Sequence, residues 1–570
     1  MIFVALASDY DGTLAQDGNV TSPTLAALDK LKAIGKQLIL VTGRELPSLR
    51  ECFEGLNRFD LVVAENGALL FNPATGEERL ISAPPPEQLV AALRAKNVHP
   101  LSVGRGIVAT WTPNETILLT TIRELGLDWQ VIFNKGAVMC LAPGVNKATG
   151  LAAALAVSNL SPLNVIGIGD AENDLAFLST CGGSVAVANA LATVKTKVDI
   201  VTSADHGAGV SEFVDGWRAD AKRTFAELRR HDLYFGDAAS NKNSISLRAD
   251  DGAILLAGSS GVGKSKIAAL LMERITDRGY QVCVVDPEGD YDTLSFLSHI
   301  GDTQRTPPPE EVAGLLKSPT TSLSLNLLGT DISERPAYFT GLLTELRGLR
   351  ASSGRPHWIV VDEAHHLSPR DVQLDDASFS AEMSSVLLIT TRPQMLSSAA
   401  LATVQTVIAV GDHATECIAE FCRSIGESEP FQGPNPEEDE VLFWQRGSAL
   451  EPQRVTMGKG REEHRRHTRK YAVGRLGEDK SFYFTGSAHL LNLRAHNLAA
   501  FLQLAQGVDD DTWLFHLRNG DYTRWFRDSI KDDELANEVR GLESSQESAR
   551  SRSELAASVK RRYAASDIDG

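Results

Sequence analysis

Two groups of residues in this chain have the types and spacing needed to handle phosphate. Near the start, Ser8-Asp9-Tyr10-Asp11-Gly12-Thr13 ends the apolar run Ile2 to Ala7. Strand side chains alternate, so Asp9 and Asp11, two residues apart, point toward the same loop face. One carboxylate can attack phosphorus if a cation neutralises the incoming oxyanions, and a second can protonate the leaving oxygen. Asp9 and Asp11 fit those two roles. Val41-Thr42-Gly43-Arg44 places a hydroxyl at the end of another apolar run, able to bond a phosphate. Lys147 opens a helical pattern after the Pro143-Gly144 turn, where its cation could hold nucleophile and phosphate together. Gly169-Asp170-Ala171-Glu172-Asn173-Asp174 supplies carboxylates for Mg2+, which prefers oxygen ligands.

The second group is Gly258-Ser259-Ser260-Gly261-Val262-Gly263-Lys264-Ser265, directly after the apolar run Ala253 to Ala257. It matches GxxxxGK[ST], whose glycines let backbone N–H groups wrap the phosphates of a nucleotide such as ATP. Lys264 reaches the β- and γ-phosphates in that pattern, and Ser265 binds Mg2+ at a helix N-terminus. Further on, His357-Trp358-Ile359-Val360-Val361-Asp362-Glu363 ends another strand-like run. Asp362 is placed to hold Mg2+ through water and Glu363 to polarise an attacking water. A second acid after the first favours hydrolysis over transfer.

The elements that must position these groups follow from the periodicity. Residues 1–213 alternate short apolar runs with helical patterns, which argues for a parallel sheet flanked by helices. Ser82–Pro86 marks an exit from this pattern, and about 83–143 reads as a small α+β insertion. Glu65-Asn66-Gly67 and Asn134-Lys135-Gly136 either reach a substrate's leaving group or simply form turns. Residues 214–238 read as an exposed linker helix, and 239–457 carry a second α/β pattern. The mostly basic 458–479 is expected as a connector. Trp513, Leu517, Tyr522, Trp525, Phe526 and Ile530 recur at helical spacing, so 480–540 is expected as a helical module with an aromatic core. The polar tail 541–570 is expected to be a solvated helix or disordered.

Bulk properties narrow the function classes. With 570 residues, several cores can form, and no apolar stretch is long enough to span a bilayer. The six cysteines are scattered without metal-ligand spacing, which suits reduced thiols in a cytoplasmic protein. A formal charge of −18 disfavours indiscriminate nucleic-acid binding by the whole surface, though not a local basic channel.

The order DxDGT, TGR, lysine, GDxxND resembles the haloacid dehalogenase-like phosphatases, in particular the branch with its cap between the second and third motifs. That resemblance covers about 1–213. It implies that Asp9 forms an aspartyl-phosphate, Asp11 serves as acid and base, and Thr42 and Lys147 bind phosphate. The implied magnesium shell is Asp9, the main-chain carbonyl of Asp11 and Asp170, with Asp174 supporting the metal or Lys147. Residues 239–457 resemble the HerA/FtsK-like ring ATPases, on the glycine loop, the DEAHH element, Val284-Val285-Asp286-Pro287-Glu288-Gly289-Asp290-Tyr291 and Thr390-Thr391-Arg392-Pro393-Gln394. The implied assembly is a ring, in the family a hexamer, with Arg392 at the nucleotide. Thr391 stands where that family carries a polar sensor, often Gln. A trans-acting arginine is also implied, with Arg423 and Arg446 as candidates by position, each also readable as a surface arginine.

The expected fold class is multidomain α/β: a Rossmann-like core with a small α+β cap, a RecA-like P-loop domain and a small α-helical C-terminal module. The expected function is Mg2+-dependent hydrolysis of a small phosphorylated metabolite, such as a sugar phosphate or phosphoglycolate, coupled to an ATP-hydrolysing domain. Two other readings stand beside it: a nucleic-acid translocase with an attached end-phosphatase, and a phosphate-ligand sensor driving the ATPase. A nucleic-acid partner is the less favoured one, and no membrane partner is expected.

Overall fold

The computed structural model describes residues 2–563 apart from 135, 227, 249–251, 372–383, 430–434, 438, 448–450, 458–475, 477–479, 488–490 and 531. The connector expected over 458–479 therefore lies almost wholly outside the described residues, as do Lys135 and the end of the tail.

The first sheet runs in the order Ile200–Val201, Gly183–Ala186, Val165–Gly169, Ala5–Ser8, Gln37–Val41, Leu61–Ala64, Leu69–Phe71, Glu78–Leu80. The first six strands are parallel and the last two antiparallel. The central strands are buried apart from Gln37, as their near-continuous apolar runs require of a parallel sheet covered on both faces. The two antiparallel edge strands were not foreseen, because three-residue strands carry too little alternation to read. From Glu87 to Leu141, two helices pack on a four-stranded antiparallel sheet ordered Ser102–Val103, Ile107–Trp111, Ala137–Leu141, Gln130–Asn134. Its outer core joins Leu89, Leu93, Leu118 and Ile122 to Val108, Val138 and Cys140. The other face places Met139 and Ile107 over the first domain.

The second sheet has a parallel centre: Val404–Val410, Ala253–Gly258, Val386–Thr390, Trp358–Val361, Val282–Asp286, Leu323–Asn326, Ser298–Ile300. The apolar run Ala253 to Ala257 and the run before Asp362 are both buried strands. Four antiparallel strands extend one edge, in the order Glu440–Gln445, Gln453–Thr456, Leu233–Ala238, Ser244–Leu247.

Two expectations are corrected. The stretch 214–238 is not an exposed linker helix. Helix His206–Ala219 and the turn after it bury Trp217, Phe225 and Leu228 in the first core, and Leu233–Ala238 then enters the second sheet. Its charged residues hid the apolar ones among them. The segment after 541 is not simply solvated either: helix Ser548–Arg562 seals the C-terminal core with Leu555, Val559 and Tyr563. That core holds Trp513, Leu517, Tyr522, Trp525, Phe526 and Ile530 together, as their spacing predicted.

The two sheets meet at the amino ends of their strands. Asn164, just before Val165–Gly169, donates from Nδ2 to the carbonyls of Ile2 (2.8 Å) and Gly354 (3.2 Å). The Gln281 N–H donates to His357 Nδ1 (2.8 Å), so the ring's proton sits on Nε2, which faces Asn164 Oδ1 at 2.9 Å. Burial, reinforced by Arg355 and Arg350, pushes His357 well below its ordinary range and keeps it neutral. The carboxyl ends of the strands, where ligands bind in open α/β sheets, are thus at the ends away from this junction.

Candidate active site

The motif residues of the first domain converge at the carboxyl end of its sheet. Asp9 follows Ala5–Ser8, Thr42 follows Gln37–Val41, and Asp170 follows Val165–Gly169. Asp9, Thr42, Lys147, Asp170 and Asp174 are all buried. Lys147 Nζ donates to Asp9 Oδ1 (2.5 Å) and to Asp174 Oδ1 (2.6 Å). Asp174 Oδ2 accepts from the backbone N–H groups of Asp170 and Ala171, both at 2.9 Å. Both Asp174 oxygens are therefore engaged in holding Lys147 and the loop. Thr13 Oγ1 donates to Asp170 Oδ1 at 3.2 Å.

Lys147 is placed by its helix, Lys147–Val157. The Asn146 side chain accepts from the N–H groups of Ala148 (2.9 Å) and Thr149 (3.1 Å), while Thr149 Oγ1 accepts from the Asn146 N–H (3.0 Å). This capping box fixes where the first helical residue stands. The turn Glu65-Asn66-Gly67 presses against it, with all three residues at positive φ. At Gly67, φ is +107° and an added Cβ would lie 2.0 Å from the Asn146 carbonyl oxygen, so glycine is required.

The electrostatics follow from burial. Burial alone would lower Lys147, but Asp174 and Asp9 hold it above its ordinary range and protonated. Burial pushes Asp9 up, and Asp174 and Asp170 add to this against the pull of Lys147. Asp9, Asp170 and Asp174 each offer an oxygen within 4.8 Å of the others, so three buried carboxylates crowd one ammonium. Such an all-oxygen, charge-deficient donor set fits a hard divalent cation.

Several partners escaped the motif reading. Arg44 grips Asp11 bidentately, Nε to Oδ2 and Nη2 to Oδ1, both at 2.7 Å. Arg44 stood in the TGR motif, yet nothing in the sequence assigned its partner. Glu65 accepts from the backbone N–H groups of Gly106 (2.7 Å) and Arg105 (3.2 Å), tying the smaller sheet's first hairpin to the core. Asn66 Oδ1 accepts from Asn173 Nδ2 at 3.4 Å.

At the second sheet, Gly258–Gly263 form the loop between strand Ala253–Gly258 and helix Lys264–Asp277, with Gly261 and Gly263 in the left-handed region. Ser259, Ser260 and Gly261 are exposed, Val262 and Ser265 half-buried, and Lys264 buried. Lys264 Nζ donates to the carbonyls of Gly258 (2.9 Å) and Ser259 (2.8 Å). Asp362 ends strand Trp358–Val361, and its Oδ1 accepts from the Glu363 N–H at 2.9 Å. Glu363 has φ +40°, an unusual conformation for a residue with a side chain.

Burial pushes Asp362 and Glu363 up, and Glu288 adds to this at Glu363, while Lys264 and Lys480 oppose it there. Lys264 of the glycine loop is thus near enough to Glu363 to act on its charge. His365 Nδ1 lies 3.3 Å from Glu363 Oε2, and burial, with His366 and Arg392, lowers its pKa to about 4. Arg392 is exposed and near this group. Arg446 is paired with Glu427 (2.6 Å) and Arg423 with Glu429 (3.7 Å).

Comparison with known proteins agrees with this geometry. The haloacid dehalogenase-like hydrolase model matches residues 6–109 and 126–214. A protein named phosphoglycolate phosphatase from Haloarcula marismortui is 32% identical over 223 residues, covering 37% of this chain and 96% of that protein. The chain belongs to the haloacid dehalogenase-like hydrolases. A second phosphoglycolate phosphatase, from Methanothermobacter thermautotrophicus, is also 32% identical, covering 37% of this chain and 99% of its own length. A solved haloacid dehalogenase-like hydrolase from Bacteroides thetaiotaomicron shares 20% identity at a TM-score of 0.34, covering 37% of this chain and 98% of that one. Residues 252–335 match the model described as Helicase HerA, central domain, so this hydrolase carries a HerA-type domain in the same chain. Among the described residues, no helix is long and apolar enough to cross a membrane.

Proposed function

We propose that the first domain hydrolyses a small phosphomonoester through an aspartyl-phosphate on Asp9, and that the HerA-type domain binds and hydrolyses ATP. The observation that carries the first half is the buried Asp9–Lys147–Asp174 chain, with Asp170 beside it. Asp9 attacks phosphorus, and the ester oxygen leaves with a proton from Asp11, a step that requires Arg44, which holds both Asp11 oxygens in the structure, to release one of them. Asp11 then takes a proton from water, whose oxygen attacks phosphorus and frees Asp9 and inorganic phosphate. Lys147 and the Thr42 hydroxyl hold the phosphoryl oxygens, and Asp174 keeps Lys147 in place. Asp9, Asp170 and the Asp11 carbonyl would hold Mg2+, which supplies charge neutralisation for the transferring group. Phosphoglycolate is the first substrate to assay, given the names of the relatives, with sugar phosphates next. On the same reading the protein is cytoplasmic.

In the HerA-type domain, Gly258–Ser265 cradle the phosphates, and Ser265 and Asp362 would hold Mg2+. Glu363 polarises water, and Arg392 meets the nucleotide. A ring-shaped homo-oligomer fits this domain type.

The test is phosphate release from a panel of esters with Mg2+, together with trapping of an acyl-phosphate. Asp9→Asn is expected to abolish both while leaving ATP hydrolysis intact. Release that persists in Asp9→Asn would defeat the mechanism. The match to the HerA central domain also supports a second reading, a nucleic-acid motor with an attached end-phosphatase. ATP hydrolysis stimulated by DNA, with DNA affinity falling steeply with salt, would select that reading.

A further inference from the structure

The nucleotide group of the second sheet is rich in acid. Asp286 ends strand Val282–Asp286, Glu288 and Asp290 follow it, and Asp362 and Glu363 follow the neighbouring strand. Glu288, Asp290 and Lys264 all act on the charge of Glu363, and Glu288 and Asp286 act on that of Arg335. A magnesium nucleotide is itself anionic, so charge alone would disfavour its approach to five carboxylates.

One further cation enters from a different part of the chain. Lys480 Nζ lies 2.8 Å from Glu288 Oε1, 192 residues away in sequence. Lys480 belongs to the C-terminal module, where its carbonyl accepts from the Nε1–H of the buried Trp525 (2.9 Å). The next residue, Ser481, donates to the Leu476 carbonyl (3.3 Å) and accepts from Arg494 Nε (2.9 Å). The lysine's backbone is therefore fixed in the module's core while its ammonium reaches the loop beside Glu363. That loop is shaped in turn by Asp286, whose carboxylate accepts from the N–H groups of Glu288 (3.2 Å) and Tyr291 (3.0 Å).

We propose that Lys480 is a positioning residue for the nucleotide site: by holding Glu288 it sets the charge beside Glu363 and makes ATP turnover depend on docking of the C-terminal module. This rests on the ATPase reading above. It gives the module a role that its packing alone does not, that of delivering one cation to a site built on another domain. A lysine that merely glued two surfaces together would be replaceable without effect on turnover.

The test is steady-state ATP hydrolysis by the full chain with Mg2+, using Lys264→Ala as the reference for site-dependent turnover. Lys480→Met is expected to lower kcat by about tenfold or more while KM changes by less than about threefold, and Lys480→Arg to restore most of the rate. The exchange Glu288→Lys with Lys480→Glu rebuilds the pair with opposite polarity and separates the bridge from the site's charge. It is expected to keep the module docked, as judged by its resistance to proteolysis, yet remain slow, because the cation now sits on the other partner. Wild-type turnover in Lys480→Met, or wild-type turnover in the exchanged pair, would overturn the inference and leave the ATPase reading standing. Absence of turnover sensitive to Lys264→Ala in the unmodified chain would remove the ATPase reading itself, and this inference with it.

Discussion

Among the described residues, two helices begin with a buried lysine, and they differ in what surrounds it. Helix Lys147–Val157 is capped by a side chain of its own: Asn146 accepts the N–H groups of Ala148 and Thr149, and Lys147 is paired with two carboxylates. Helix Lys264–Asp277 starts from Gly263 at φ +96°, with no side-chain cap, and Lys264 bonds the carbonyls of its own loop. The first helix spends its N-terminal donors and its cation inside the protein, on Asn146, Asp9 and Asp174. The second has no side-chain cap on its first turn, a helix start that on the proposed reading receives a bound phosphate. A side-chain cap thus distinguishes the two helix starts.

The difference should appear first in stability. Lys147→Met leaves Asp9 and Asp174 buried without their cation, and is expected to cost about 3–5 kcal/mol. Lys264→Met removes bonds to two loop carbonyls and is expected to cost only about 1 kcal/mol. Denaturant unfolding of the two variants, followed by the same probe, checks this. Equal losses would mean that the ion chain at Asp9 is not the preformed unit its geometry suggests.

The second way to sharpen the comparison lies at the junction of the two sheets. His357 is held neutral, its folded pKa depressed below the ordinary value of about 6.5. In the window just below pH 6.5 the unfolded chain binds a proton that the folded chain does not. Stability from this group is therefore complete above about pH 6.5 and is lost as pH falls toward the folded pKa, by up to about 1.4 kcal/mol per pH unit. His357→Gln should flatten that part of the stability profile relative to the unmodified chain. An unchanged slope between about pH 6.5 and 5 would show that His357 is not held neutral by its burial.

The strands were legible because each is local: an apolar run reports a buried strand. The motif spacing likewise put Asp9, Thr42, Lys147 and Asp170 at strand and helix ends, where the fold brings them together. Arg44 on Asp11, Glu65 on the Gly106 N–H and Lys480 on Glu288 were not legible, since each joins residues that only the completed fold brings together. The same cause lies behind the misread segments. Trp217, Phe225 and Leu228 sit among charged residues, and Leu555 and Val559 among Ser and Arg, so composition pointed to solvent although all five are buried in cores. Lys147 was readable as a helix start from the Pro143-Gly144 turn and Lys264 as a residue of the glycine loop, but which helix would be capped depended on position 146 being Asn and 263 being Gly.

That last contrast gives the smallest and most local prediction. Asn146→Ala removes the cap while leaving the charges at Lys147, Asp9 and Asp174 in place. It is expected to cost about 1 kcal/mol in unfolding free energy, whereas Asn146→Asp, which can still accept both N–H groups, should cost less. The consequence for the reaction separates the cap's two roles. If the cap only stabilises the helix, phosphatase kcat under native conditions stays as it was. If it also sets where Lys147 stands, kcat falls in Asn146→Ala and returns in Asn146→Asp, with ATP hydrolysis unaffected in both. The second outcome is expected, because Lys147 is the first residue of the helix and its Nζ must reach Asp9 and Asp174 at once.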